Sequence, residues 1–138
     1  MRTNTTVSER CSEISAILYD PAGLYQVAVI GNLQATEIAV ESVDLELLRI
    51  KKACEEAGCI LIVTADHGNS DQMLEKNKKG LIEVRTAHSL NPVPFIIYDK
   101  DERHELKAGS FGLANVAPTV AELFGIKPYD SWEESMLL

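Results

Sequence analysis

The chain has 138 residues, the length of one ordinary domain with enough volume to bury a core. Lys and Arg number 13 against 21 Asp and Glu, a formal net charge of -8, which repels a nucleic-acid backbone or an anionic membrane surface. No apolar run reaches the about 20 residues of a membrane helix, and the opening Met1-Arg2-Thr3-Asn4 lacks a signal-peptide core, so a soluble, cytoplasmic protein is expected.

The first residues, 2–10, are polar and without periodicity, and the segment 1–23 carries little structural signal. Ile14, Ile17 and Leu18 fit either a short helix or a strand, and Asp20-Pro21-Ala22-Gly23 supplies turn chemistry. Leu24 to Ile30 is aliphatic, β-branched and aromatic and reads as a strand ending at Gly31-Asn32. A long helix follows from near Gln34 to Ala57, with Ile38, Val43, Leu47, Ile50, Cys54 and Ala57 as its apolar face. Glu41, Glu46, Arg49, Lys52 and Glu56 form its wet side, and Gly58 is placed to be a left-handed C-cap. The apolar run from Ile60 to Ala65 then reads as a buried strand, completing a right-handed βαβ unit.

Beyond it, Ser70 to Leu74 is read as a short helix capped by Asn69 or Ser70, Glu75 to Gly80 as a surface turn, and Leu81 to Val84 as a short edge strand. Pro92 and Pro94 stiffen the loop that carries His88 into a strand at Phe95 to Tyr98. Asp99 to Glu105 is a charged excursion in which His104 is expected to be solvated. A second amphipathic helix follows Gly112, using Val116, Val120, Leu123 and Phe124, and Gly125 closes it. The acidic tail from Tyr129 to Leu138 is expected to be pinned by Trp132. Cys11, Cys54 and Cys59 form no C-x-x-C pair and read as small core residues. With no internal repeat, 1–138 reads as a single α/β domain, a mostly parallel sheet with helices on its faces.

Chemistry is expected where the strand from Ile60 turns polar, at Asp66 and His67, because loops beyond the carboxyl ends of parallel strands hold ligands. Carboxylate and imidazole together suit borderline divalent metals better than calcium, which makes Asp66, His67 and His88 candidate metal ligands. Adjacent side chains at a strand end tend to diverge, which suits two neighbouring ions. The same residues also read as a plain turn, with Asp66 bonding backbone amides and Gly68 at positive φ.

Thr64-Ala65-Asp66-His67-Gly68-Asn69, followed by Thr86-Ala87-His88 and Asn91-Pro92-Val93-Pro94-Phe95, resembles the carboxy-terminal part of the cofactor-independent phosphoglycerate mutases, members of the alkaline-phosphatase superfamily. Ala117-Pro118-Thr119 with Leu123 to Ile126 resembles the superfamily's last core helix, and the similarity runs from about Gly31 onward. The resemblance implies a partial three-layer sandwich of the alkaline-phosphatase type. It implies manganese or zinc, with Asp66 and His67 on one ion and His88 on the other, and phosphoglycerate as the substrate of the complete enzyme in glycolysis.

Two of the family's ligand positions fall on Tyr25 and Val29, and neither suits manganese; the nucleophilic serine has no counterpart. The expectation is therefore a fragment or degenerate homologue, inactive alone, which self-associates or lacks an amino-terminal half. A non-catalytic metal-binding or self-associating domain, and a phosphatase of the same superfamily, remain the alternatives.

Overall fold

The computed structural model describes residues 30–138. Their order of elements is α1 (Leu33–Ala57), β1 (Leu61–Thr64), β2 (Leu74–Lys76), β3 (Ile82–Val84), β4 (Phe95–Tyr98), a 3₁₀ turn (Leu113–Asn115) and α2 (Val116–Leu123). The readings made for 1–23, most of the strand from Leu24, and Cys11, Tyr25 and Val29 fall outside the described residues.

Local chemistry sets both ends of α1. Asn32 caps its start, the Oδ1 accepting the Ala35 N–H at 3.0 Å, while the Thr36 hydroxyl donates back to the Asn32 carbonyl at 2.9 Å. At the other end Gly58 takes φ 69 and the Cys59 N–H reaches the Cys54 carbonyl at 2.9 Å, the glycine-terminated closure expected of this sequence. The predicted apolar face holds from Val43 through Leu47 and Ile50 to Cys54, all partly buried. It fails at its ends, where Ile38 is 57% exposed and Ala57 is exposed, and buried Thr36 opens the face instead. Ile38 is out of step with Val43 for a helix of about 3.6 residues per turn, so the face begins on Thr36 and Ala39. Cys54 and Cys59 are only half-buried, not core residues.

The predicted strand Phe95–Tyr98 is β4, and it is the hydrogen-bonded neighbour of β1 in a two-stranded sheet. The predicted helix over Ser70 to Leu74 does not form. Residues 70–71 turn, and Leu74–Lys76 is instead a strand paired antiparallel with β3, Leu74 opposite Val84 and Lys76 opposite Ile82. Two facts override the local helix signal: the ladder with β3 takes up the backbone, and the Asp71 side chain is engaged with residues far along the chain. Asn77 and Gly80 build the hairpin turn, Asn77 Oδ1 accepting the N–H groups of Lys79 and Leu81 while Gly80 adopts φ 78. The register sets Glu75 opposite Glu83, and each finds its own partner, Arg85 at 2.5 Å and the Asn77 amide at 3.0 Å. This antiparallel hairpin is an element that the reading of a mostly parallel sheet did not contain.

The described residues fall into two compact units, Cys54–Ile62 with Ile97–Leu138, and residues 30–53 with Val63–Ile96. In the first unit Leu123 and Met136 are 7% and 5% exposed, around a fully buried Thr119. The carboxy-terminal tail is laced down by backbone rather than by its aromatic residue. Leu106 and Leu137 form an antiparallel bridge, with the Lys107 N–H on the Met136 carbonyl and the Leu138 N–H on the Glu105 carbonyl. Trp132 is 42% exposed and meets only Tyr129 edge-on among ring contacts of the described residues, so the expectation that it pins the tail is corrected in favour of Met136. In the second unit Gly31 sits against Val84, where a Cβ would lie 2.6 Å from the valine Cγ2. Among the described residues no helix is long and apolar enough to cross a membrane.

Candidate metal centre

The site lies in the second unit, where the chain leaves β1. The strand ends at Thr64, and Asp66 and His67 occupy a bend rather than extended backbone. Their side chains therefore converge instead of diverging, Asp66 Oδ1 lying 3.5 Å from His67 Nε2. Gly68 then pairs with Ser89 in an isolated antiparallel bridge, the Ser89 N–H donating to the Gly68 carbonyl at 2.9 Å. That single bridge brings His88 beside His67. The two imidazoles stack with centroids 3.6 Å apart and planes 28° from parallel.

The hydrogen bonds around His67 bear on what the site can hold. Its Nδ1 lies 3.2 Å from the Gly68 carbonyl, which can only accept, so in the neutral ring the proton sits on Nδ1 and the lone pair on Nε2. In that tautomer the lone pair faces an Asp66 carboxylate oxygen at 3.5 Å, and in the protonated ring the same contact is an ion pair. A cation between them satisfies both, and the carbonyl fixing the other ring nitrogen is the outer-shell arrangement usual for metal-binding histidines. The donor set present thus fits a borderline divalent ion at Asp66 and His67. Asp66, His67 and His88 do not together lie within reach of one ion, since among the described residues the one group of three donors within 4.8 Å of one another is found elsewhere.

Four further residues, which sequence reasoning missed or took for something else, hold the loops in place. Ser89 is 1% exposed and donates its hydroxyl to Asp71 Oδ2 at 2.7 Å, and the Asn91 amide donates to the same oxygen at 2.5 Å. These bonds from Ser89 and then Asn91 outweigh the opposing effect of burial and hold the Asp71 carboxyl below its ordinary value. Arg85 donates to the His88 carbonyl at 3.0 Å and to Glu75 at 2.5 Å, tying the hairpin to the histidine loop. Asn91 was visible in the resemblance, but Asp71, Ser89 and Arg85 carry no local signature, because each acts across the chain.

The sign of the Asp71 shift gives an expectation. A carboxyl whose folded value is depressed stabilises the fold above its unfolded value, near the ordinary 3.8, and this contribution fades as pH falls through the folded value. Asp71→Asn removes that contribution, so its stability relative to the wild type should be lowest near neutrality and should close on the wild type in acid. Urea midpoints from neutral pH down to below 3.8 measure it; a gap independent of pH would show that the ionised carboxylate is not what Ser89 and Asn91 hold.

The Metalloenzyme superfamily matches residues 26–128, three quarters of the chain, and the chain belongs to that superfamily. Within it the similarity is to 2,3-bisphosphoglycerate-independent phosphoglycerate mutases. A probable enzyme of this kind from Leptospira interrogans is 38% identical over 117 residues, 78% of this chain and 21% of the relative. That of Ehrlichia canis is 33% identical over 138 residues, 98% and 26% respectively. Among solved structures, phosphoglycerate mutase of Leishmania mexicana, crystallised at low cobalt concentration, superposes with a TM-score of 0.73 at 35% identity, covering 83% of this chain and 23% of that one. The chain thus spans only 21% to 26% of the length of these curated relatives.

Proposed function

We propose that the chain carries metal-ligand residues of a phosphoglycerate-mutase site, in a domain of the alkaline-phosphatase type with a mostly parallel sheet. Asp66 and His67 hold one divalent ion and His88 contributes to a second, manganese or zinc being the ions suited to these donors. The observation that carries the reading is the Nε2 edge of His67 turned toward the Asp66 carboxylate, with His88 stacked on the same ring. The similarity to mutases, one of them crystallised with cobalt present, supports it.

In this reading the residues of the chain have separate tasks. Asp66 supplies charge, His67 a neutral donor whose other nitrogen is held by Gly68, and the Ser89–Asp71–Asn91 network keeps the two loops in register. Bound divalent ions neutralise charge on a transferring phosphoryl group and lower the pKa of a hydroxyl nucleophile. No residue here is assigned as the nucleophilic serine or as the substrate cage. The chain alone is therefore read as inactive, and interconversion of 3- and 2-phosphoglycerate, a glycolytic reaction of the cytoplasm, is assigned only to an assembly that supplies those groups.

Calorimetric titration with Mn²⁺ tests the ligand assignment. Asp66→Ala and His88→Ala should each weaken uptake by at least about tenfold, as even outer-shell losses do. Uptake by the wild type that neither substitution alters would sink the assignment, and so would a wild-type chain that takes up no Mn²⁺. A second arm mixes the chain with a polypeptide bearing the nucleophilic serine and follows phosphoglycerate turnover.

A further inference from the structure

The charged excursion after β4 contains a donor set that the mutase reading does not use. His104, expected to be solvated, is only 11% exposed at its side chain, and Asp99 only 10%. His104 Nε2 lies 3.1 Å from Asp99 Oδ2, and a Glu102 carboxylate oxygen completes a group whose three ligand atoms lie within 4.8 Å of one another. These residues line an open depression of about 460 Å³ formed by residues 97–104.

We propose that Asp99, Glu102 and His104 form a binding site for a zinc-class divalent cation. Two ligands of a tetrahedral zinc ion, each about 2.0 to 2.2 Å from the metal, stand roughly 3.4 Å apart. Asp99 and His104 are already near that separation, so neither must move far to share an ion. Glu102 is exposed and has only to swing inward, leaving the fourth position to water from the open depression. One imidazole among two carboxylates selects zinc-class ions over calcium, which takes oxygen throughout.

Asp99 is also prepared as a ligand. The Asp101 N–H donates to its Oδ1 at 2.9 Å. That bond orients the carboxylate and leaves Oδ2 for His104 or for an ion. Lys100 and Arg103 line the same depression and oppose a cation, which keeps the affinity modest.

The inference does not rest on the mutase reading, and the test keeps the two apart. Zn²⁺ is titrated calorimetrically into the full chain carrying H67A and H88A, and into the same chain with E102Q or H104Q added. The H67A/H88A chain should still bind one equivalent of Zn²⁺, and either further substitution should weaken it by at least about tenfold. Glu102 is exposed, so E102Q is expected to fold even if H104Q disturbs the loop. No Zn²⁺ uptake by the H67A/H88A chain, or equal uptake after both E102Q and H104Q, would reduce the cluster to an ion pair and overturn the proposal.

Discussion

Gly68→Ala should destabilise the chain by about 1 to 3 kcal/mol, the ordinary cost of forcing a methyl into a packed site. Its φ is not in the left-handed region, so the requirement for glycine is one of space. A Cβ at this position would fall on the Ser89 hydroxyl oxygen and within 2.6 Å of an Asp71 carboxylate oxygen. The Ser89 hydroxyl cannot withdraw easily, because Ser89 is 1% exposed and its hydroxyl is bound to Asp71. Gly112→Ala is the control, since it has φ -134 and nothing within 4 Å of its added Cβ. Urea denaturation of the two variants side by side measures the difference. If Gly68→Ala proved as stable as Gly112→Ala, the close stitching of the two ligand loops would be refuted.

Thr119→Val is expected to cost about 1 to 3 kcal/mol, for a different reason. The Thr119 side chain is fully buried, donates to the Asn115 carbonyl at 2.6 Å and accepts the Met136 N–H at 2.9 Å. Valine keeps the volume and removes both bonds, leaving a buried N–H without that acceptor. Asn115 itself donates to the Glu134 carbonyl at 2.9 Å, so the hydroxyl is the hub that joins α2 to the tail. Thr119→Ser keeps the hydroxyl and loses a methyl, so it should be the milder change. Hydrogen exchange at the Met136 and Leu138 amides should accelerate in the valine variant more than in the serine variant; the reverse order would show that packing, and not the hydroxyl, holds the tail.

The sequence by itself determined the parts of this protein whose cause is local. Gly58 ends α1 because a left-handed residue is needed there and glycine adopts it without strain. β4 is legible in Phe95–Tyr98 because two prolines precede a short β-branched and aromatic run. The Asp66–His67 pair was legible as a candidate site because polarity changes abruptly where an apolar strand stops.

Only the tertiary structure decided the rest, because those features depend on groups distant along the chain. Residues 70–74 carry a helix signal, yet pairing with β3 and the reach of Asp71 to Ser89 and Asn91 pull them into a turn and a strand. His88 reaches His67 through one backbone bridge that no spacing rule could supply. His104 is packed against Asp99, with 11% of its side chain exposed, rather than solvated, because a folded loop can draw in a polar group once it has a partner in place. Local propensity thus fixed where elements begin and end, and long-range hydrogen bonds fixed which side chains meet.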